Sequence, residues 1–145
     1  MKHLLLTLFL IGAVHAEPIK INLVTTNDIH GMISSQTANF MNPQYPPTIL
    51  GGAAFSKYVD ELRAEANKNG EGLLILDGGN IFQGHPLGIA DGGHTMIEWM
   101  NRIGYDAMVP GSYDFISGAQ NLNTLSLTAN FPFLFSNLIC NSCPL

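Results

Sequence analysis

The sequence predicts an α/β domain: a mainly parallel sheet whose strands are joined by βαβ crossovers. Strand-like and helix-like segments alternate along the chain, the pattern of parallel strands linked by right-handed crossovers. Residues 73–76, Leu-Leu-Ile-Leu, form a short continuous apolar run of the kind expected for a strand buried on both faces. Polar residues gather just beyond each strand-like run, where sheets of this type bind ligands.

The first strand is expected over residues 19–25, which alternate and are rich in Ile, Leu and Val, and it gives way to turn chemistry at Thr26-Asn27-Asp28. Residues 41–47 hold three prolines, which excludes a helix or a central strand and leaves a loop. From Ala54, the apolar residues Phe55, Tyr58, Val59, Leu62 and Ala66 recur at three- and four-residue steps, an amphipathic helix that Asn69-Gly70 ends. The buried strand at 73–76 follows. Thr95 with Glu98 three residues later matches a capping box, so a second helix is expected to bury Met96, Trp99, Met100 and Ile103 and to stop at Gly104. Residues 106–109 read as a third strand closed by Pro110-Gly111, and residues 131–138 as a fourth, with a looser helix between them.

At the other end of the chain, Lys2 precedes an almost purely apolar stretch at 4–14, and Val14-His15-Ala16 suits signal peptidase. Residues 1–16 therefore read as an export signal and 17–145 as the mature chain. The apolar stretch is too short for a bilayer of roughly 30 Å, so no stable membrane span is expected; a membrane anchor is the alternative. Losing Lys2 takes the formal charge from −5 to −6. An acidic exported domain is a poor partner for nucleic-acid phosphates, though its charges could gather around cations. With 46% apolar and 12% charged residues the composition is that of a folded globular chain, not a disordered one. Cys140 and Cys143 form a C-x-x-C, read as a local disulfide, since a zinc site would need two further ligands.

Chemistry concentrates at three strand tips. They carry Asp28 and His30, then Asp77 and Asn80, then Ser112, Tyr113 and Asp114. Asp28 and His30, two residues apart, project to one side of an extended chain, where both could hold one cation. An Asx-turn beside an exposed histidine is the plainer reading of the same spacing. His85 and His94 lie in Gly-rich loops as exposed residues, and Trp99 reads as core.

Thr26-Asn27-Asp28-Ile29-His30-Gly31 resembles the T-N-D-x-H-G that opens the catalytic domain of calcineurin-like metallophosphoesterases of the 5′-nucleotidase and 2′,3′-cyclic phosphodiesterase branch. Further blocks follow in the same order. Gly51-Gly52 resembles the G-G that starts the first helix, residues 77–84 resemble D-x-G-D-x-x-Q-G, and residues 104–115 resemble G-Y-D-A-x-x-x-G-N-H-E-F. The resemblance implies part of an α/β/β/α metallophosphoesterase sandwich, with residues 17–145 as the N-terminal part of the catalytic domain. It also implies two divalent ions (Mn, Zn, Mg or similar) about 4 Å apart, which bind phosphate oxygens and activate water. Asp28 and His30 are implied as ligands of the first ion, and the substrate as a small nucleotide or related phosphoester.

Several implied positions are altered. Asn80 stands where the family has the Asp that bridges both ions, Ser112 where it has a metal-binding Asn, Tyr113 where it has the catalytic His, and Ile116 where it has the Asp that orients that His. A neutral amide at 80 removes several kcal/mol of attraction for a second cation at intermediate dielectric. A phenol, with an ordinary pKa near 10, cycles protons less readily at neutral pH than imidazole. Asp77 and Asp114 are possible substitute ligands. Three readings follow: an exported metal-dependent phosphoester hydrolase, a binding or regulatory module that kept the fold without the chemistry, and a structural domain that binds no metal.

Overall fold

The computed structural model describes residues 18–137. The expected export signal at 1–16, the Cys140–Cys143 pair and the last residue of the expected fourth strand lie outside the described residues.

Strand β1 (Ile21–Thr26) pairs in parallel with β4 (Gly72–Asp77) over its whole length, from Ile21 opposite Gly72 to Thr26 opposite Asp77. On the other side of β4 lies β5 (Ala107–Met108), also parallel, which gives a three-stranded sheet in the order β1-β4-β5. Strand β4 is therefore the central strand. The expected fourth strand is reduced to a single parallel bridge between Met108 and Phe133, supported by the Leu134 N–H donating to the Met108 carbonyl.

Helix α1 (Gly52–Asn69) carries the chain from β1 back to the start of β4, burying Val59 and Ala66. It ends at Gly70 in the left-handed region (φ 68°), with the Glu71 N–H donating to the Ala66 carbonyl. The equivalent crossover to β5 uses α2 (Pro86–Ile89) and α3 (His94–Ile103), and α3 buries Met96, Ile97, Met100 and Ile103. Helix α4 (Ala119–Thr128) adds Leu122 and Leu125 to the same core. Trp99, partly buried, packs on Phe55 and Tyr105 with ring centroids 5.9 and 6.0 Å away, and so belongs to the core.

Three details differ from the sequence expectation. Thr95 does not cap α3: the N-cap is Gly93, two residues earlier, and the Asp91 carboxylate accepts from the Thr95 N–H and hydroxyl. The proline-rich loop is held between two short antiparallel strands, β2 (Gln36–Thr37) and β3 (Thr48–Ile49). Among the described residues, the sheet is also covered on one face only. Paired residues of a parallel ladder share a face, and on the uncovered one Ile21, Leu23, Leu74 and Val109 are all exposed. Leu74 is thus not doubly buried, as its apolar run suggested.

Candidate active site at the strand tips

Because the strands run parallel, the loops after β1, β4 and β5 emerge on the same edge of the sheet. Main-chain hydrogen bonds knit the first two together: the Asp28, His30 and Gly31 N–H groups donate to the carbonyls of Gly79, Asn80 and Ile81 at 2.9, 3.0 and 2.7 Å. The third loop presses on the second at Gly79 (φ 93°), where a Cβ would stand 2.1 Å from the Gly111 nitrogen. Only glycine fits there.

Among the described residues, the non-glycine positions with positive φ are Asp28 (54°), His30 (51°) and Asn80 (60°). Each costs on the order of 1 kcal/mol and persists only where surrounding bonds hold it. The residues singled out by motif are therefore also the ones whose backbone is strained. Asn and Asp tolerate this region better than most side chains, which is a weak sequence signal that the motif already contained.

The His30 Nδ1 is hydrogen-bonded to the Gln83 carbonyl. A carbonyl only accepts, so Nδ1 carries a proton, and in the neutral imidazole the lone pair is left on Nε2. That lone pair lies 3.7 Å from Asp28 Oδ1. Hydrogen bonds from Asn80 first, then Asn27, together with the nearby imidazole, hold the Asp28 carboxyl below the usual carboxylate range, so it is ionised at neutral pH.

Asn80 bridges two loops. Its Nδ2 donates to Asp28 Oδ1 at 2.7 Å, and its Oδ1 accepts from the Tyr113 N–H at 3.0 Å. The Tyr113 ring is exposed and meets the His30 ring edge-on, centroids 5.6 Å apart. Ser112 opens a short 3-10 turn (Ser112–Phe115) and is exposed, as is Ile116.

Neither substitute carboxylate is available. Asp114 is fully buried and accepts from the Asn80, Ile81 and Gly111 N–H groups at 2.7, 2.9 and 2.9 Å, which makes it a clamp between the second and third loops. Asp77, almost fully buried, accepts from the Thr26 hydroxyl and the Gly79 N–H, and burial raises its carboxyl above the ordinary range. His85 and His94 are half-buried, not exposed: His85 Nδ1 accepts from the Leu87 N–H at the start of α2, and His94 opens α3.

A pocket of about 560 Å³ lies at these tips, lined among others by Asn27, Asp28, Asp77, Asn80 and Val109. Among the described residues its wall holds two carboxylates and no Lys or Arg, so it presents negative charge to any phosphate unless a cation intervenes. Metal bonds to N and O run about 2.0–2.2 Å, so ligand atoms 3.7 Å apart can share one ion, and a protonated Nδ1 on a carbonyl is the usual support for such a histidine. The donor set thus fits a cation at Asp28 and His30. Among the described residues no three His, Cys, Asp or Glu side chains come together.

No family model matches the chain. It is 35% identical over 119 residues to protein UshA of Salmonella pullorum and 34% to the 5′-nucleotidase of Vibrio cholerae, covering 82% of this chain and 20% of theirs in each case. Among solved structures, the 5′-nucleotidase precursor of Thermus thermophilus matches with a TM-score of 0.66 at 27% identity, over 79% of this chain and 22% of that one. The chain belongs to the 5′-nucleotidase branch of the calcineurin-like metallophosphoesterases. It spans about a fifth of the length of those curated relatives. The metallophosphoesterase fold extends to the sulfate thiohydrolase SoxB of Thermus thermophilus, with a TM-score of 0.71 at 16% identity over 82% of this chain and 30% of that one.

Proposed function

We propose that the protein hydrolyses phosphoesters of nucleotides or related small molecules, as an exported, metal-dependent relative of the 5′-nucleotidases. The observation that carries this reading is the convergence of an ionised Asp28 with the free Nε2 lone pair of His30, 3.7 Å apart, on the strained strand tips of a metallophosphoesterase sheet. Asp28 and His30 would hold a divalent cation, which supplies Lewis acidity toward a phosphoryl oxygen and a lowered pKa for water. Gln83 fixes the histidine tautomer. Asn80 and Asn27 keep the carboxylate oriented and ionised. Tyr113, whose exposed ring meets that of His30, would donate a hydrogen bond near a leaving oxygen, the role of the family histidine, with Ser112 beside it. The apolar leader at 4–14 supports export to a periplasm or the exterior, and no described helix is long and apolar enough to cross a membrane.

The test is manganese-dependent hydrolysis of a nucleoside monophosphate by the full-length protein. Losing a residue that merely supports a ligand costs about 10–100-fold, so Asp28→Ala is expected to lower kcat/KM by at least about 100-fold. Full activity in that variant would end this reading.

A second reading is favoured by one observation: the Asn80 amide lies between Asp28 and the Tyr113 loop, where the family places a shared carboxylate. The protein would then bind phosphoesters without cleaving them. A nucleotide-induced rise in Tm with no turnover would select it.

A further inference from the structure

Asn80 occupies the position on which a two-ion site depends, and its side chain is engaged on both sides. The amide nitrogen, which cannot ligate a cation, faces Asp28 Oδ1 at 2.7 Å, while the amide oxygen accepts from the Tyr113 N–H at 3.0 Å. Flipping the amide would set its oxygen against the carboxylate and its N–H against another N–H. There is also little room to swing away, because Gly111 packs so closely that a Cβ on it would stand 2.3 Å from Asn80 Oδ1.

The charge balance points the same way. Two divalent ions bring four positive charges, and among the described residues at the strand tips Asp28 is the carboxylate that is not buried. Asp77 is almost fully buried, bound to Thr26 and Gly79, and Asp114 is fully buried and enclosed by three amides. Asp28 nevertheless keeps capacity for one ion. Each of its oxygens accepts one hydrogen bond, from Asn80 or from Asn27, and a carboxylate oxygen has a second lone pair.

We propose that the strand-tip site takes a single divalent cation, on Asp28 and His30, and that Asn80 is a neutral strut in place of the second ion, joining the loops after β1, β4 and β5. The inference rests on the cation site of the proposed function, but it concerns how many ions the site holds. Two consequences are separable. The loops stay assembled without any metal, and the ion count is set by the residue at position 80.

The experiment is titration of the chelator-treated chain with Mn²⁺ alone, followed by calorimetry and by electron paramagnetic resonance. One ion per chain is expected, with the spectrum of an isolated Mn²⁺, lost in Asp28→Ala. Asn80→Asp should admit a second ion and give the spectrum of a magnetically coupled pair. Two ions in the unaltered chain, no ion at all, or uptake indifferent to Asp28→Ala would each overturn the proposal. Melting in the absence of metal tests the strut: Asn80→Ala should lower the metal-free Tm, and an unchanged Tm would refute that half. Two bound ions with hydrolysis would overturn this inference and leave the proposed activity standing; one ion without hydrolysis would do the reverse.

Discussion

Asp114 and Asp77 are carboxylates of the strand-tip loops that have left solvent, and they differ in what surrounds them. Asp114 meets three main-chain N–H groups, each a charge-assisted hydrogen bond. Asp114→Asn turns one acceptor into a donor facing those groups and is expected to cost about 2–3 kcal/mol in denaturant unfolding. Asp77 has fewer partners than its burial demands, so its folded pKa lies above the unfolded one. The folded state then holds the proton more tightly, and stability falls as pH rises from about 4 through that raised value. Asp77→Asn can still accept from Gly79 and donate to Thr26, so it should flatten this dependence. Melts across that range would show the two chains diverging in Tm as pH increases; a constant gap would contradict the assignment. At this scale the sequence was partly readable. Asp28, His30 and Asn80 stood out because chemistry and turn geometry both select their residue types. The Gln83 contribution did not, because a main-chain carbonyl carries no side-chain signature. Asp114 as a clamp was hidden because its burial depends on how two loops from distant strands meet.

Helix α3 shows how far periodicity carries. Its apolar stripe and its stop at Gly104 were legible, since both follow from 3.6-residue spacing and from the left-handed cap (φ 79°). Its start was misplaced by two residues: Thr95 and Glu98 have the spacing of a capping box, yet the N-cap is Gly93 and Asp91 reaches across from the preceding turn. Met100 sits fully buried in the middle of this stripe. Met100→Ala is expected to destabilise by about 2–5 kcal/mol, through lost burial and the cavity left behind, measurable by urea titration. The two-residue strands β2, β3 and β5 lie at or below the length at which alternation has meaning, and their pairing is set by neighbours, not by their own residues.

Among the described residues, the domain has helices over one side of its sheet and bare leucines on the other. Parallel sheets normally bury both faces. Leu23 is 60% and Leu74 40% exposed, directly opposite each other in the ladder. Such a face is adhesive. The chain by itself is expected to self-associate in sedimentation experiments. The double change Leu23→Lys with Leu74→Lys should make it monomeric with a stability loss under about 0.5 kcal/mol, as befits exposed positions. If association persists unchanged, contacts elsewhere are responsible.

The ladder between β1 and β4 joins residues some fifty positions apart, with Thr26 opposite Asp77 as its last rung. A slip of one rung would carry Asp28 about 3.3 Å along the edge of the sheet and reverse the facing of every side chain on the slipped strand. Neither the carbonyl ladder to residues 79–81 nor the contact with Asn80 would survive. Affinity for a cation at the proposed site on Asp28 and His30 would therefore be a proofreading signal, acquired only by molecules that have aligned the two strands correctly, and its recovery during refolding would time that alignment.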